Sequence, residues 1–127
     1  MFSAQQTEPA HHFTVVDDDD KMLFFVQRAL AQKFPGADIL TFTDGVDAFQ
    51  YLKKNGTDFL ITDFSMARMG GADLIRELRA ARIEVPTLMI SGSPNAEETA
   101  LELGVIFLDK GKINERLADA VSVLLAK

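Results

Sequence analysis

The sequence predicts an α/β fold: a doubly wound, five-stranded parallel sheet in the order 2-1-3-4-5 with helices on both faces. Three observations lead there. Five short apolar runs alternate with five segments of helical period, joined by short connections. Phe59-Leu60-Ile61 and Leu88-Met89-Ile90 are apolar throughout, as strands buried on both faces must be. Four of the five runs end in chemistry-bearing residues, namely Asp17-Asp18, Asp63, Ser91 and Lys110. With that strand order the four runs are contiguous, and their ends share one mouth beyond the carboxyl ends of the strands, where open α/β sheets bind ligands.

Taken in order, residues 1–12 are polar and aperiodic and are expected to form a disordered or loosely attached tail. His11-His12 lies in it; two adjacent histidines do not easily converge on one ion, so a solvated pair is the reading. Phe13–Val16 is the first strand. Asp17-Asp18-Asp19-Asp20 follows, with Asp19 or Asp20 capping the next helix and Asp17 and Asp18 left to face Asp63. Helix 1, about Lys21–Phe34, turns Met22, Leu23, Phe25, Val26, Ala29, Leu30 and Phe34 inward and leaves Phe24 outside. Pro35-Gly36 ends it. Ile39, Leu40 and Phe42 make strand 2, and Thr43-Asp44-Gly45 leads into helix 2 with Val46, Phe49 and Leu52 inward and Asn55-Gly56 as its stop.

Strand 3 ends at Asp63, and helix 3 spans about Ala72–Ala80 with Leu74, Ile75 and Leu78 inward. Strand 4, Thr87–Ile90, ends in Ser91-Gly92. Ser93-Pro94-Asn95 opens helix 4, about Ala96–Leu103, and Gly104 stops it. Strand 5 is Val105–Leu108. Helix 5, about Asn114–Ala126 with Asn114 as cap, buries Ile113, Leu117, Ala120, Val121, Leu124 and Leu125.

At 127 residues, 47% apolar and 25% charged, the chain reads as one globular domain, 13–127, behind its tail. A net charge of −6 argues against nonspecific nucleic-acid binding, which needs clustered basic residues. With no cysteine there is no disulfide, thiolate metal site or cysteine nucleophile. The N-terminus lacks the pattern of a signal peptide, and no apolar run approaches the roughly 18 residues of a membrane span, so a cytoplasmic location is expected.

Three carboxylates at one mouth are unfavourable without a cation. Oxygen-only ligation, completed by water and phosphate, suits magnesium (Mg2+) better than zinc or a caged calcium.

The ordered set resembles the receiver (CheY-like) domain of the two-component response regulators, from Phe13 to Lys127. The residues that carry the resemblance are Val15-Val16-Asp17-Asp18, the D-x-x-M segment Asp63–Met66, the Gly71 turn, Ser91 after an apolar strand, and Lys110 after Phe107-Leu108-Asp109. The resemblance implies a flavodoxin-like fold and a phosphoacceptor that assists its own phosphorylation and dephosphorylation without being an enzyme in the usual sense. Asp63 would take a phosphoryl group from a histidine kinase or histidine phosphotransfer protein. Asp17, Asp18, Asp63 and the carbonyl of Ser65 would hold Mg2+, Lys110 would pair with a phosphoryl oxygen, and Ser91 would hydrogen-bond another. Phe107 matches the family's switch aromatic. A downstream protein target is implied, with no direct nucleic acid and no membrane. Phe24, exposed beside the mouth, is the candidate docking anchor for the donor.

The chain departs from the family pattern in four places. Ala67 stands where proline is usual, Gly70 where Asp or Asn is, Gly111 where a proline follows the lysine, and Phe107 where tyrosine is common. The first two put the loop's rigidity in question. The third predicts a trans Lys110-Gly111 bond with a shifted loop. The missing prolines at positions 67 and 111 make a degenerate, phosphorylation-independent binding module the alternative. A flavodoxin-like cofactor binder is disfavoured because four aspartates would repel a bare phosphate.

Overall fold

Alternation of side chains along each strand builds the core. In the computed structural model, which describes residues 11–126, the strands are β1 (His12–Val16), β2 (Asp38–Phe42), β3 (Phe59–Asp63), β4 (Thr87–Ser91) and β5 (Ile106–Asp109). All neighbours pair in parallel, in the order β2-β1-β3-β4-β5 that the sequence predicts. Every residue of β3 and β4 is buried, because helices cover both faces.

The helices are α1 (Asp20–Lys33), α2 (Gly45–Asn55), α3 (Gly71–Ala80), α4 (Pro94–Leu103) and α5 (Ile113–Leu125). Phe13, Val15, Phe59, Ile61, Leu88 and Ile90 point to one face and meet Leu23, Val26 and Leu30 of α1 with Leu117 and Val121 of α5. The intervening residues Val16 and Leu60 point the other way, onto Ala48 and Leu52 of α2 and Leu74 and Leu78 of α3. Met89 meets Ala72, Ile75 and Ala100 across α3 and α4. Each fully buried Leu, Ile or Phe contributes about 1.5–3 kcal/mol, so both layers hold the helices onto the sheet.

Several expected details change. His12 is the first residue of β1 and pairs with Asp38 at 3.2 Å, while His11 packs against Phe34, so neither belongs to a free tail. The tail expected at 1–10 lies outside the described residues. In α2 the buried residues are Gly45, Ala48 and Leu52, with Val46 and Phe49 half-buried, and Gly45 lies so close to the neighbouring loop that a Cβ there would meet the Met69 carbonyl. α4 begins at Pro94, whose missing N–H costs nothing in a first turn. Asn114 caps nothing, since α5 starts at Ile113, directly from a short 3₁₀ turn at Lys110–Lys112. β5 begins one residue later than expected, at Ile106.

Candidate functional site

The strand order reverses between β1 and β3, which lie side by side, and Asp17 follows the one while Asp63 ends the other. One carboxylate oxygen from each of Asp17, Asp18 and Asp63 lies within 4.8 Å of the others. Asp17 and Asp63 are buried, whereas Asp18 faces solvent at the rim. Among the described residues this is the one group of three or more such side chains able to hold a metal ion.

The four-aspartate run divides its labour. Asp19 accepts the Lys21 N–H at 2.9 Å and caps α1, with Asp20 in the first turn, where the helix dipole favours negative charge. Asp17 is fixed from the backbone, its N–H donating to the Phe42 carbonyl at 3.0 Å and its Oδ1 accepting the Asp19 N–H at 2.9 Å. Its Oδ2 is buried without an aligned hydrogen bond, 3.3 Å from the Lys110 ammonium. Burial, followed by the charge of Asp63, pushes the Asp17 carboxyl up from 3.8 to about 6, against the opposing pull of the Asp19 amide and Lys110.

Lys110 reaches the same point from β5, its Nζ 3.1 Å from Asp63 Oδ2. Burial pulls the ammonium down, but the hydrogen bond and charge of Asp63, then the charge of Asp17, outweigh it and raise its pKa. The turn that aims it is held by Asp109, whose carboxylate accepts the Gly111 N–H at 2.7 Å. A proline at 111 would remove that donor. The Lys110-Gly111 bond is trans, as expected.

The donor set fits a hard divalent cation. It is all oxygen, open on the Asp18 side for water or phosphate, and it leaves one buried Asp17 oxygen for which the protein supplies no hydrogen-bond donor in line. A separate cleft of about 310 Å³, lined by His12, Asp38, Tyr51 and Asp58, lies at the opposite, amino-terminal end of the strands and away from this chemistry.

Ser91 ends β4 in register with Asp109, and its buried Oγ accepts the Ser93 N–H at 2.9 Å. Phe107, beside Met89 in the sheet, is half-buried against Ala72, Ile75 and Ala100. Ser65 lies in the exposed loop two residues beyond Asp63. Phe24 stands apart from the cluster, on the outer face of α1, 65% exposed.

Sequence reading missed what holds the β3–α3 loop. Gly70 and Gly71 let it close: a Cβ at Gly71 would overlap the Asp63 carbonyl, one at Gly70 would come within 2.6 Å of the Phe64 carbonyl, and Gly71 N–H donates to that same Phe64 oxygen at 2.9 Å. Gly70 thus tightens the loop whose rigidity it put in question. Arg68, at a left-handed φ of 67°, reaches Asp44 at 2.6 Å and Asp47 at 3.3 Å. Asp44 was legible as a turn residue ahead of α2, but no local pattern marks a partner 24 residues away.

The model of the response regulator receiver domain family matches residues 13–122. The chain is 36% identical over 96 residues to the chemotaxis protein CheY1 of Helicobacter pylori, covering 72% of this chain and 77% of that one. It is 28% identical over 116 residues to the transcriptional regulatory protein PrrA of Mycobacterium tuberculosis, covering 89% of this chain but 49% of that protein, about half its length. The receiver domain of the Francisella response regulator 1452 superposes with a TM-score of 0.81 at 25% identity, over 91% of this chain and 97% of that one. With the match running through both carboxylate-bearing strand ends and Lys110, the chain belongs to the response regulator receiver domain family.

Proposed function

We propose that this chain is a phosphoacceptor, taking a phosphoryl group on Asp63 from a histidine kinase or histidine phosphotransfer protein and signalling by changed affinity for a protein target or by passing the group on. The observation that carries this reading is the convergence of Asp63 with Asp17, Asp18 and Lys110 from three separate segments of chain on one mouth. A carboxylate oxygen of Asp63 attacks phosphorus, the phosphorus–nitrogen bond to the donor imidazole breaks, and the imidazole nitrogen keeps the electron pair. Asp17, Asp18, Asp63 and the Ser65 carbonyl would hold Mg2+, which when bound neutralises charge on the transferring oxygens. Lys110 pairs with one phosphoryl oxygen, exchanging a carboxylate contact for a phosphate one.

Ser91 serves as the reader. Its hydroxyl turns from the Ser93 amide to donate to the phosphoryl group, drawing the β4–α4 loop inward, and Phe107 fills the space this opens beside Met89. Phe24, on the outer face of α1, is a docking anchor for the donor, and a cytoplasmic location belongs to the same reading.

Intact-mass measurement with acetyl phosphate tests it. One phosphoryl group should be gained with Mg2+, none with EDTA and none in Asp63→Asn. An unchanged mass in wild type under all conditions favours instead a receiver-shaped binding module that works without phosphorylation.

A further inference from the structure

Arg68 occupies a backbone conformation that penalises any residue with a β-carbon, in an exposed loop, between the site and α2. The Met69 N–H donates to the Ala67 carbonyl at 2.7 Å, closing a tight turn centred on Arg68, and a tertiary interaction adds to this local bond. The interaction is with the start of α2. Asp44 uses both oxygens, Oδ1 accepting the Asp47 N–H at 2.9 Å as the helix cap and Oδ2 taking the Arg68 guanidinium at 2.6 Å. Asp47 adds a second contact at 3.3 Å. The Asp44 side chain is only 14% exposed, and the Arg68 hydrogen bond, then the Asp47 amide, hold its carboxyl below the usual range. One residue on, the Met69 carbonyl lies against Gly45 so closely that a Cβ there would overlap it. The β3–α3 loop is therefore stitched to α2 at adjacent points, and its other end is pinned by Gly71 to Phe64.

We propose that Arg68 is a positioning residue: its ion pairs with Asp44 and Asp47 latch the Asp63–Gly71 loop to α2, and so set the placement of Asp63 and the Ser65 carbonyl toward the cation and the incoming phosphoryl group. The latch does here what a proline ring at position 67 would do by fixing φ. Because the ion pairs are partly exposed, they yield to salt, which makes the readiness of the loop depend on ionic strength.

This inference rests on the proposed function for its kinetic arm, and its metal arm is independent of it. Arg68→Gly removes the guanidinium while relieving the φ penalty, so its melting temperature should match or exceed wild type. Asp44→Asn keeps an oxygen for the cap and weakens the ion pair. Both variants should bind Mg2+ about two- to fivefold more weakly, read from amide shifts of Asp63 and Ser65 during MgCl2 titration, and both should be phosphorylated more slowly by acetyl phosphate at subsaturating Mg2+. Arg68→Lys should recover part of the loss. At 0.5 M NaCl, wild type should converge on Arg68→Gly. Wild-type Mg2+ affinity in Arg68→Gly, or a loss in the variants that follows only their unfolded fraction, overturns the latch. If wild type gains no phosphoryl group, the proposed function fails, while the Mg2+ titration still decides for or against the latch.

Discussion

Lys110 stands 3.1 Å from Asp63 and 3.3 Å from Asp17, so that one ammonium answers two buried carboxylates contributed by different strands. Removing it strands both charges. Lys110→Met, which keeps most of the stem, should destabilise the metal-free protein by about 2 kcal/mol, less than a fully buried pair because the lysine is 26% exposed. Urea unfolding checks this. Millimolar MgCl2 should recover most of the loss, since the cation replaces the ammonium at the same oxygens. A variant as stable as wild type without metal contradicts the arrangement.

Asp17 gives the fold a pH dependence opposite to that of an ordinary salt-bridged carboxylate. Its carboxyl titrates near 6 when folded and near 3.8 when unfolded. Between those values the folded chain holds a proton that the unfolded chain has released, so stability from this group is gained as pH falls through about 6 and is absent above it. The urea midpoint of metal-free protein should rise from pH 7.5 to 5. Asp17→Asn should flatten that rise, and saturating Mg2+ should abolish it in wild type, because the cation occupies the place of the proton. An identical slope in wild type and Asp17→Asn would rule Asp17 out as its source.

Gly71 is fixed by space. Gly71→Ala drives a methyl into the Asp63 carbonyl and against the Thr62 hydroxyl, itself bonded to that carbonyl at 3.0 Å. The expected cost is about 1–3 kcal/mol, with slowed phosphorylation in the molecules that remain folded. Calorimetry and single-turnover mass measurements separate the two effects.

Phe24→Ala should leave stability within about 0.5 kcal/mol of wild type, as its ring is 65% exposed. Phosphorylation by acetyl phosphate should be unchanged and transfer from a cognate histidine donor slowed. Equal loss with both donors would remove Phe24 from the docking surface.

The sheet was legible because each strand carries its own signal: unbroken apolar runs in β3 and β4, and a polar residue at the end of four strands. The convergence of Asp17, Asp18, Asp63 and Lys110 followed from strand order alone, since parallel strands put all their carboxyl ends on one side. Helix starts were less legible. Asn114 looks like a cap by composition, yet the Asp109 carboxylate had already turned the chain into a 3₁₀ turn that runs straight into α5. The Arg68–Asp44 contact was invisible for a different reason. It joins two loops, and neither loop has a periodicity from which its partner could be read.

The switch point between β1 and β3 also has a consequence for biosynthesis. Lys110 and Asp63 are 47 residues apart, and Asp17 lies earlier still, so no nascent chain that stops short of Lys110 owns a complete charge cage. The cage is therefore complete only once β5 has docked, and a chain clipped before that strand lacks the ammonium that Asp17 and Asp63 share.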